Sequence, residues 1–280
     1  MKPILKMKVT KSVGGDSFEK EDFLVVEEPL EIRLAFGKVK ARQQKCLAIT
    51  MRTPGHDFEL ATGFLLAEGI IETRQHILKM KHVPTLHPSS KRNIILIELN
   101  PATGFELKKL ERHFYTSAAC GVCGKTSIEA VWTRSIFNLP EKHPLFRTTT
   151  IRKLPQILLK RQSVFSNTGG LHAAALFDSE GNLLLIREDI GRHNAVDKLV
   201  GFALEKGLIP LSDYLILVSG RIGFELVQKS LMAGAPIIAA VGAPSSLAVE
   251  LAAEAGMTLI GFLRNDTFNI YAGESRVVLP

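Results

Sequence analysis

Hydrophobic and polar residues alternate over short runs in the first hundred residues, which is typical of β-strands. The strand candidates are DFLVVEE, EIRLAFG, KCLAITMRT, ILKMKHV and NIILIELN. The last two flank the Pro- and Ser-rich segment PTLHPSSKR, a spacing that predicts a hairpin with an irregular tip. The segment HDFELATGFLLAEGII instead shows helical spacing. Residues 1–20 lack sustained periodicity, so we expect a loosely organised arm before a mostly antiparallel lobe.

The second half of the chain shows a different pattern, in which apolar strands alternate with helices that end on glycines. A helix is predicted near residues 154–164 with Pro155 at its start, and the pair HAAALFD and LLLIRED, joined by SEGN, leads into a helix that ends at Gly207. Strand and helix then alternate from YLILVSG to the final strand FNIYAG. Such a pattern is typical of a largely parallel sheet, whose ligands usually lie beyond the carboxyl ends of the strands.

These two patterns predict an α/β protein with two lobes. The N-terminal α+β lobe spans residues 1–146 and ends with a small-residue segment that contains Cys120 and Cys123. The C-terminal lobe spans residues 147–280 and carries a mixed, largely parallel sheet covered by helices. A chain of 280 residues, 46% of them hydrophobic, is long enough to bury a core of this size.

The composition indicates which cellular compartment and which classes of partner to expect. No uncharged apolar run reaches the roughly 18 residues of a membrane span, and no secretory signal begins the chain, so we expect a cytoplasmic protein without membrane insertion. Three cysteines are too few for a disulfide framework, which also favours a reducing compartment. The 35 basic residues exceed the 28 acidic ones. Without a dense Lys/Arg block or a basic-aromatic ladder, however, nucleic acid is not an expected partner.

The segment SAACGVCGK holds two thiols two residues apart among glycines, so the backbone can present both sulfurs on one side. Lys125 would favour the thiolate, which is the attacking species in thiol chemistry. A zinc site is disfavoured because no second Cys pair and no Cys/His pair at zinc-finger spacing is present. Two interpretations stay open from spacing alone: a redox dithiol, and a carrier of sulfane sulfur. Cys46 lies in an apolar strand candidate, and we expect it to be buried.

A second cluster of polar residues surrounds a predicted helix N-terminus. His172 begins one strand, and the segment EDIGRHNAVDK supplies Glu188, Asp189, Arg192, His193, Asn194 and Asp197. Each of these could be a simple cap or turn residue. Together with the glycines of NTGG, they predict a pocket for an anion or a nucleotide.

Three turns after the later strands carry further candidates. Ser219, Arg221, Ser245 and Ser246 follow strands and precede helices, so they are predicted to be helix caps or phosphate contacts. The segment GFLRNDTFNIY offers Phe262, Arg264, Asn265 and Asp266, which could read a purine edge and meet a phosphate, or form a polar β-turn.

The motifs GFLLAEGII, AACGVCG, NTGGLHAAALF, EDIGRHNAVDK, SGRIGFELVQK, GAPSSLAVELA and GFLRNDTFNIY, taken in this order, resemble the FdhD/NarQ family of formate dehydrogenase accessory proteins. The resemblance runs from about residue 20 to the end of the chain. It implies a sulfurtransferase that accepts sulfur from a cysteine desulfurase and passes it to the molybdenum of a bis(molybdopterin guanine dinucleotide) cofactor before that cofactor enters formate dehydrogenase. It also implies a homodimer.

The resemblance assigns roles to particular residues. Cys120 corresponds to the persulfide-carrying cysteine and Cys123 to the second cysteine of the motif. The cofactor-binding stretch falls on Phe262, Leu263, Arg264, Asn265, Asp266 and Thr267. To these we add His172, Arg192, His193, Ser219 and Arg221 as candidate contacts, with GDP or a related guanine nucleotide as a partial mimic of the cofactor.

The family in turn resembles the cytidine deaminase fold, which implies a deaminase-like C-terminal lobe. Zinc deaminases place a His-x-Glu motif before a Cys-x-x-Cys motif and use the Glu to move protons. Here Ala173 and Ala174 follow His172, and the cysteines come earlier in the chain. We therefore expect no zinc and no deaminase activity. The alternative function is a cofactor-binding chaperone whose Cys pair is a redox or structural element.

Overall fold

The structure is a computed structural model that describes residues 3–84, 92–103, 105, 135–264 and 266–279. Its strands are β1 (Ile4–Val13), β2 (Asp16–Val25), β3 (Glu28–Phe36), β4 (Gln43–Arg52), β5 (Ile77–His82), β6 (Ile94–Leu99), β7 (Phe146–Arg147), β8 (His172–Phe177), β9 (Leu183–Asp189), β10 (Leu215–Val218), β11 (Ile237–Ala240), β12 (Thr258–Arg264), β13 (Thr267–Ala272) and β14 (Val277–Val278). Its α-helices are α1 (Asp57–Ala67), α2 (Thr148–Ile151), α3 (Leu154–Arg161), α4 (Ser163–Thr168), α5 (Arg192–Glu205), α6 (Phe224–Met232) and α7 (Ser246–Glu254).

The N-terminal segment is a regular β-hairpin, so the prediction of a loosely organised arm is wrong. Strands β1 and β2 pair in antiparallel fashion from Ile4 opposite Val25 to Val13 opposite Asp16. Gly14 and Gly15 form the turn with φ of +61° and +99°, the left-handed conformation that a tight two-residue hairpin turn requires. The alternation of Leu5, Met7 and Val9 with lysines, followed by Gly-Gly, was the available signal.

The N-terminal lobe contains a four-stranded sheet in the order β4-β3-β6-β5. Strands β3 and β4 are antiparallel, as are β5 and β6, while β3 and β6 run parallel. The mostly antiparallel character of this lobe is therefore as expected, and so is the hairpin that joins β5 to β6.

The larger sheet has six strands in the order β13-β12-β11-β10-β8-β9. Only the β10–β11 and β11–β12 pairs are parallel, because β8 and β9 form one hairpin and β13 folds back on β12. The expected largely parallel sheet is thus a mixed sheet with a parallel centre. The physical reason is that short turns, which can join only antiparallel neighbours, replace helical crossovers at both edges.

Two apolar cores lie on opposite faces of the six-stranded sheet. The larger core joins that sheet to α1, α5 and the four-stranded sheet, through residues such as Ile32, Leu65, Leu199 and Ile238. The smaller core packs α2 and α3 against the other face. Both sheets therefore share one continuous apolar interior, and the boundary predicted at residue 146 stays a prediction. Within the described ranges, no helix is long and apolar enough to span a bilayer.

Helices α1 and α5 cross with their backbones in direct contact. A Cβ atom added to Gly63 would lie 1.9 Å from the carbonyl oxygen of Asp197, and one added to Gly201 would lie 1.8 Å from the carbonyl oxygen of Glu59. Both positions accept only glycine at this separation, because the atoms that a side chain would meet belong to rigid helical backbone.

The two residues whose carbonyls meet these glycines also form ion pairs with other elements. The Glu59 carboxylate accepts hydrogen bonds from Arg187 of β9 at 2.5 and 2.9 Å. The Asp197 carboxylate accepts hydrogen bonds from the Lys229 ammonium of α6 at 2.7 and 2.9 Å. The crossing of α1 and α5 is thus held at each side by a charged pair, one of which is buried.

We predict that Gly201→Ala lowers the free energy of unfolding by about 3 kcal/mol or more, because the added methyl group forces the two helices apart. Chemical denaturation monitored by circular dichroism measures the change. Gly223→Ala is the matched control, since nothing lies within 4 Å of its Cβ position and it should cost about 1 kcal/mol or less. Equal stability of Gly201→Ala and the wild type would contradict the observed helix contact.

Candidate functional site at the carboxyl edge of the six-stranded sheet

One edge of the six-stranded sheet collects most of the predicted site residues. Ser219 and Val241 directly follow β10 and β11, and Arg264 ends the parallel strand β12. Strand β8 runs antiparallel to β10, so His172 at its beginning reaches the same edge. Strand β9 ends opposite His172, which brings the start of α5, with Arg192, to this edge as well.

A bulge in β12 shapes the stretch from Phe262 to Thr267. Phe262 has a φ of +50°, which is uncommon for a residue with a side chain, and its N–H donates to the Gly242 carbonyl at 3.0 Å. This conformation exposes the Phe262 ring and turns Leu263 into the smaller core, where it is fully buried, so Leu263 offers no surface to a ligand, contrary to its prediction as a cofactor contact. The Arg264 guanidinium lies 5.9 Å from the centre of the Phe262 ring. A strained backbone that presents an aromatic ring beside a cation is typical of a binding site.

Several residues of the EDIGRHNAVDK segment have structural roles instead. Asp189 is fully buried and pairs with the Lys198 ammonium at 2.6 Å. Its carboxylate also accepts hydrogen bonds from the main-chain N–H groups of Thr53 and Gly191, at 3.1 and 2.8 Å, and from the Asn194 amide at 3.1 Å. This network joins the end of β4 to the start of α5, so these groups are not available to an anion.

Glu188 has a structural role too, because its carboxylate accepts hydrogen bonds from the N–H groups of Val164 and Phe165 at the start of α4. His193 Nε2 lies 3.0 Å from the Glu225 carboxylate. Arg192 differs from both: its Nε is buried and has no hydrogen-bond partner within the described part of the chain. Arg192 therefore retains hydrogen-bonding capacity for a ligand.

His172 is half-buried beside these groups. Burial lowers its pKa below the ordinary value of 6.5, and the neighbouring Arg192 and His193 lower it further, while Asp189 opposes the shift. Gly220 leaves room for the ring, since a Cβ at that position would lie 3.1 Å from His172 Nδ1. The imidazole is accordingly neutral near pH 7 and provides one donor and one acceptor.

A cavity of about 470 Å³ opens beside His172 and Ser219. Its walls are mostly apolar and come from α3, α4 and the end of β11. The lining residues are Pro155, Leu158, Leu159, Gln162, Phe165, Gly169, Gly170, Leu171, His172, Ser219 and Val241. The Ser219 hydroxyl oxygen accepts a hydrogen bond from the Ala173 N–H at 2.9 Å, which leaves its own hydrogen directed elsewhere. The volume suits a small-molecule ligand.

Most of the remaining predicted residues are either exposed or outside the described residues, and Ser245 caps a helix. Arg221, Asp266 and Thr267 are exposed at or near the same edge. Cys120, Cys123 and Asn265 lie outside the described residues. Ser245 is a helix cap, because its hydroxyl accepts a hydrogen bond from the Ala248 N–H at 3.3 Å.

Cys46 is exposed, so the prediction of a buried core thiol is wrong. The reason is a bulge that places Cys46 opposite Arg33 and turns Leu47 inward. Partial burial of the sulfur, with a further contribution from the Glu31 carboxylate, raises the pKa of this thiol to about 11. A thiol with so high a pKa is a weak nucleophile near pH 7.

A family model described as the FdhD/NarQ family matches residues 25–278. The chain belongs to the FdhD/NarQ family. It is 48% identical to the sulfur carrier protein FdhD of Streptomyces avermitilis over 98% of this chain and 95% of that protein. It is 46% identical to the sulfur carrier protein FdhD of Mycolicibacterium paratuberculosis, covering 97% of this chain and 98% of the relative.

A solved structure supports the fold of this FdhD/NarQ chain. The crystal structure of a candidate formate dehydrogenase accessory protein from Desulfotalea psychrophila superimposes with a TM-score of 0.72 at 21% sequence identity. The superposition covers 99% of this chain and 100% of that one. The similarity shows the mixed α/β architecture, and the more specific likeness to cytidine deaminases stays a prediction.

Sequence reasoning missed the cavity residues Gln162, Phe165 and Val241. Gln162 lies between two helices in a segment without a motif, so no residue pattern marks it. Val241 directly precedes the GAPSSLAVELA motif, but its contribution to the cavity depends on the neighbouring helix α3. These residues come together only through the packing of α3 and α4 against the edge of the sheet.

We predict that the native protein loses stability as pH falls below about 6.5, with His172 as one contributor. Below pH 6.5 the His172 ring of the unfolded chain binds a proton, while the ring in the folded protein, whose pKa is lower, stays neutral. The contribution of His172 to the free energy of unfolding is therefore complete above pH 6.5 and is lost as pH falls towards the pKa of the folded state. NMR titration of the His172 ring measures that pKa directly. Arg192→Leu should raise it by removing a cation, whereas exposed Arg152→Leu should not. An identical midpoint in the wild type and Arg192→Leu would contradict the assigned cause.

Proposed function

We propose that this FdhD/NarQ chain is a sulfurtransferase that receives sulfane sulfur from a cysteine desulfurase and passes it to a molybdenum cofactor for formate dehydrogenase. The observation that carries the proposal is the 48% identity, along almost the whole chain, to a protein named sulfur carrier protein FdhD. The Cys120-Gly-Val-Cys123 segment within this match supplies the sulfur chemistry that such a carrier needs.

The proposed carrier step is a thiolate exchange on Cys120. The Cys120 thiolate attacks the terminal sulfur of a desulfurase persulfide, so a new S–S bond forms on Cys120 while the old one breaks and releases the desulfurase thiolate. In delivery, the S–S bond of the persulfide would break, Cys120 would leave as a thiolate, and the zero-valent sulfur would become a sulfide ligand, with the two electrons coming from the substrate metal as its oxidation state rises by two. Cys123 then supports or resolves the persulfide. Cys46, with its raised pKa, is a poor substitute.

The receiving substrate in this proposal is the bis(molybdopterin guanine dinucleotide) cofactor. Its phosphates are anionic, and the carboxyl edge of the six-stranded sheet offers the cations Arg192, Arg221 and Arg264. Phe262 provides an exposed aromatic face for a base next to Arg264. These features support the edge as the cofactor site. The proposal also includes binding to formate dehydrogenase and assembly of this chain as a homodimer.

The alternative function is a chaperone that binds the cofactor while its Cys pair has a redox or structural role. The two functions share the cofactor site and differ in whether Cys120 ever carries sulfur. A measurement of the persulfide therefore separates them.

We predict that incubation with a cysteine desulfurase and cysteine adds one sulfur atom, about 32 Da, to the peptide that contains Cys120. Mass spectrometry of alkylated, unreduced peptides detects it. In cells, Cys120→Ala should leave formate dehydrogenase produced but inactive. Cys46→Ala is the matched control and should retain both the persulfide and the activity, because its thiol is weakly nucleophilic. Sulfur found only on Cys46, or normal formate oxidation with Cys120→Ala, would refute the carrier role in favour of the chaperone.

We also predict that GDP binds more tightly than ADP, and that Arg264→Ala weakens GDP binding by about tenfold because a charge-assisted contact is lost. Isothermal titration calorimetry measures both. Arg152→Ala, which removes an exposed arginine directly after α2, is the control and should leave the affinity unchanged. If GDP and ADP bound equally, or if Arg264→Ala bound GDP like the wild type, the guanine site would lie elsewhere.

A further inference from the structure

The cavity beside His172 contains a polar side chain whose hydrogen-bonding capacity is unused. Gln162 is 4% exposed, and its amide Nε2 has no hydrogen-bond partner within the described part of the chain. A buried amide donor without a partner costs about 1–3 kcal/mol, so such groups are rare unless a ligand or water satisfies them. Because Gln162 lines the cavity, the missing acceptor belongs to whatever occupies it.

The other polar groups around this cavity are mainly donors too. The Ser219 hydroxyl retains its hydrogen after accepting from Ala173, and the neutral His172 ring carries one N–H. The buried Arg192 Nε, beside His172, also lacks a partner in the described ranges. An occupant must therefore be rich in hydrogen-bond acceptors on one side.

The rest of the cavity surface is apolar and includes the Phe165 ring and Leu158. Leu159 lines the cavity and is 58% exposed, so the cavity is open to solvent there. Apolar walls with a few donors favour a flat heterocycle that bears a ring carbonyl and ring nitrogens, rather than a sugar or a phosphate. A volume of about 470 Å³ is sufficient for a fused-ring system.

The cavity also lies next to the predicted cofactor stretch, which it meets through Val241. Val241 lines it, and the Val241 carbonyl accepts a hydrogen bond from Arg264 Nε at 3.5 Å. A single extended ligand can thus contact Phe262 and Arg264 with one end and enter the cavity with the other. A guanine dinucleotide of a pterin has two such ends, each a flat ring with a carbonyl.

We propose that this cavity binds the oxo-pterin ring of the cofactor, with Gln162 Nε2 donating a hydrogen bond to a ring acceptor and thereby acting as a specificity-determining residue. The identity of the ring rests on the proposed function, while the existence of the site rests on the cavity and its unpaired amide.

The test uses 6-hydroxymethylpterin, whose intrinsic fluorescence reports binding to the full chain. The wild type should quench it saturably, and Gln162→Leu should raise the dissociation constant about tenfold through the lost hydrogen bond. Gln156→Leu is the matched control, because this residue is exposed on the same helix α3 and does not line the cavity. It should bind the pterin like the wild type.

Two further measurements distinguish the causes of a negative result. The melting temperature of free Gln162→Leu should equal or exceed that of the wild type, because the substitution removes an unsatisfied buried amide; a decrease would indicate a structural role for Gln162 and overturn the inference. GDP binding should be unchanged in Gln162→Leu, because GDP reports the proposed guanine site at Phe262 and Arg264, while the persulfide measurement on Cys120 tests the proposed function. If the wild type bound GDP but not the pterin, or if Gln162→Leu bound the pterin normally, the pterin site would be wrong although the proposed function would stand.

Discussion

The contact between the α1 and α5 backbones is the constraint on which the rest of this structure depends. At Gly63 and Gly201 the backbone of each helix lies against a carbonyl oxygen of the other. The larger apolar core can therefore form between the four-stranded sheet and one face of the six-stranded sheet. The same two partner residues, Glu59 and Asp197, direct their carboxylates to Arg187 and Lys229. Close packing and charge pairing therefore reinforce each other at one crossing, which fixes the axis of α5 against both sheets.

The position of the candidate site follows from that crossing. Helix α5 begins at the carboxyl edge of the six-stranded sheet, and the buried Asp189–Lys198 pair ties its start to Thr53 at the end of β4. Arg192 and His172 consequently lie close together at a corner formed by both lobes. The buried hydrogen bonds that hold this corner favour selective binding, because a preorganised site loses little conformational entropy when a ligand enters it.

The distribution of charge at this corner indicates the kind of ligand it suits. The carboxylates of Asp189 and Glu188 accept hydrogen bonds from main-chain N–H groups of the protein. His172 stays neutral near pH 7 because burial and nearby cations lower its pKa. The groups that remain include the Gln162 amide and the guanidinium groups of Arg192, Arg221 and Arg264, which outnumber the exposed carboxylate of Asp266. An edge with this balance favours ligands with phosphates and ring carbonyls, which agrees with the proposed substrate of an FdhD/NarQ protein.

The sequence by itself determined the family, the hairpin of β5 and β6, and the strand and helix alternation of the second half, because local periodicity and motif order are enough for these. Tertiary structure decided what depends on distant atoms. A buried lysine decides that Asp189 forms an internal ion pair and binds no ligand. A bulge decides that Cys46 faces solvent, and short turns decide that the outer strands run antiparallel. The cavity at Gln162 also depends on tertiary structure, because only the packing of helices α3 and α4 buries this amide and leaves it without a partner in the described residues.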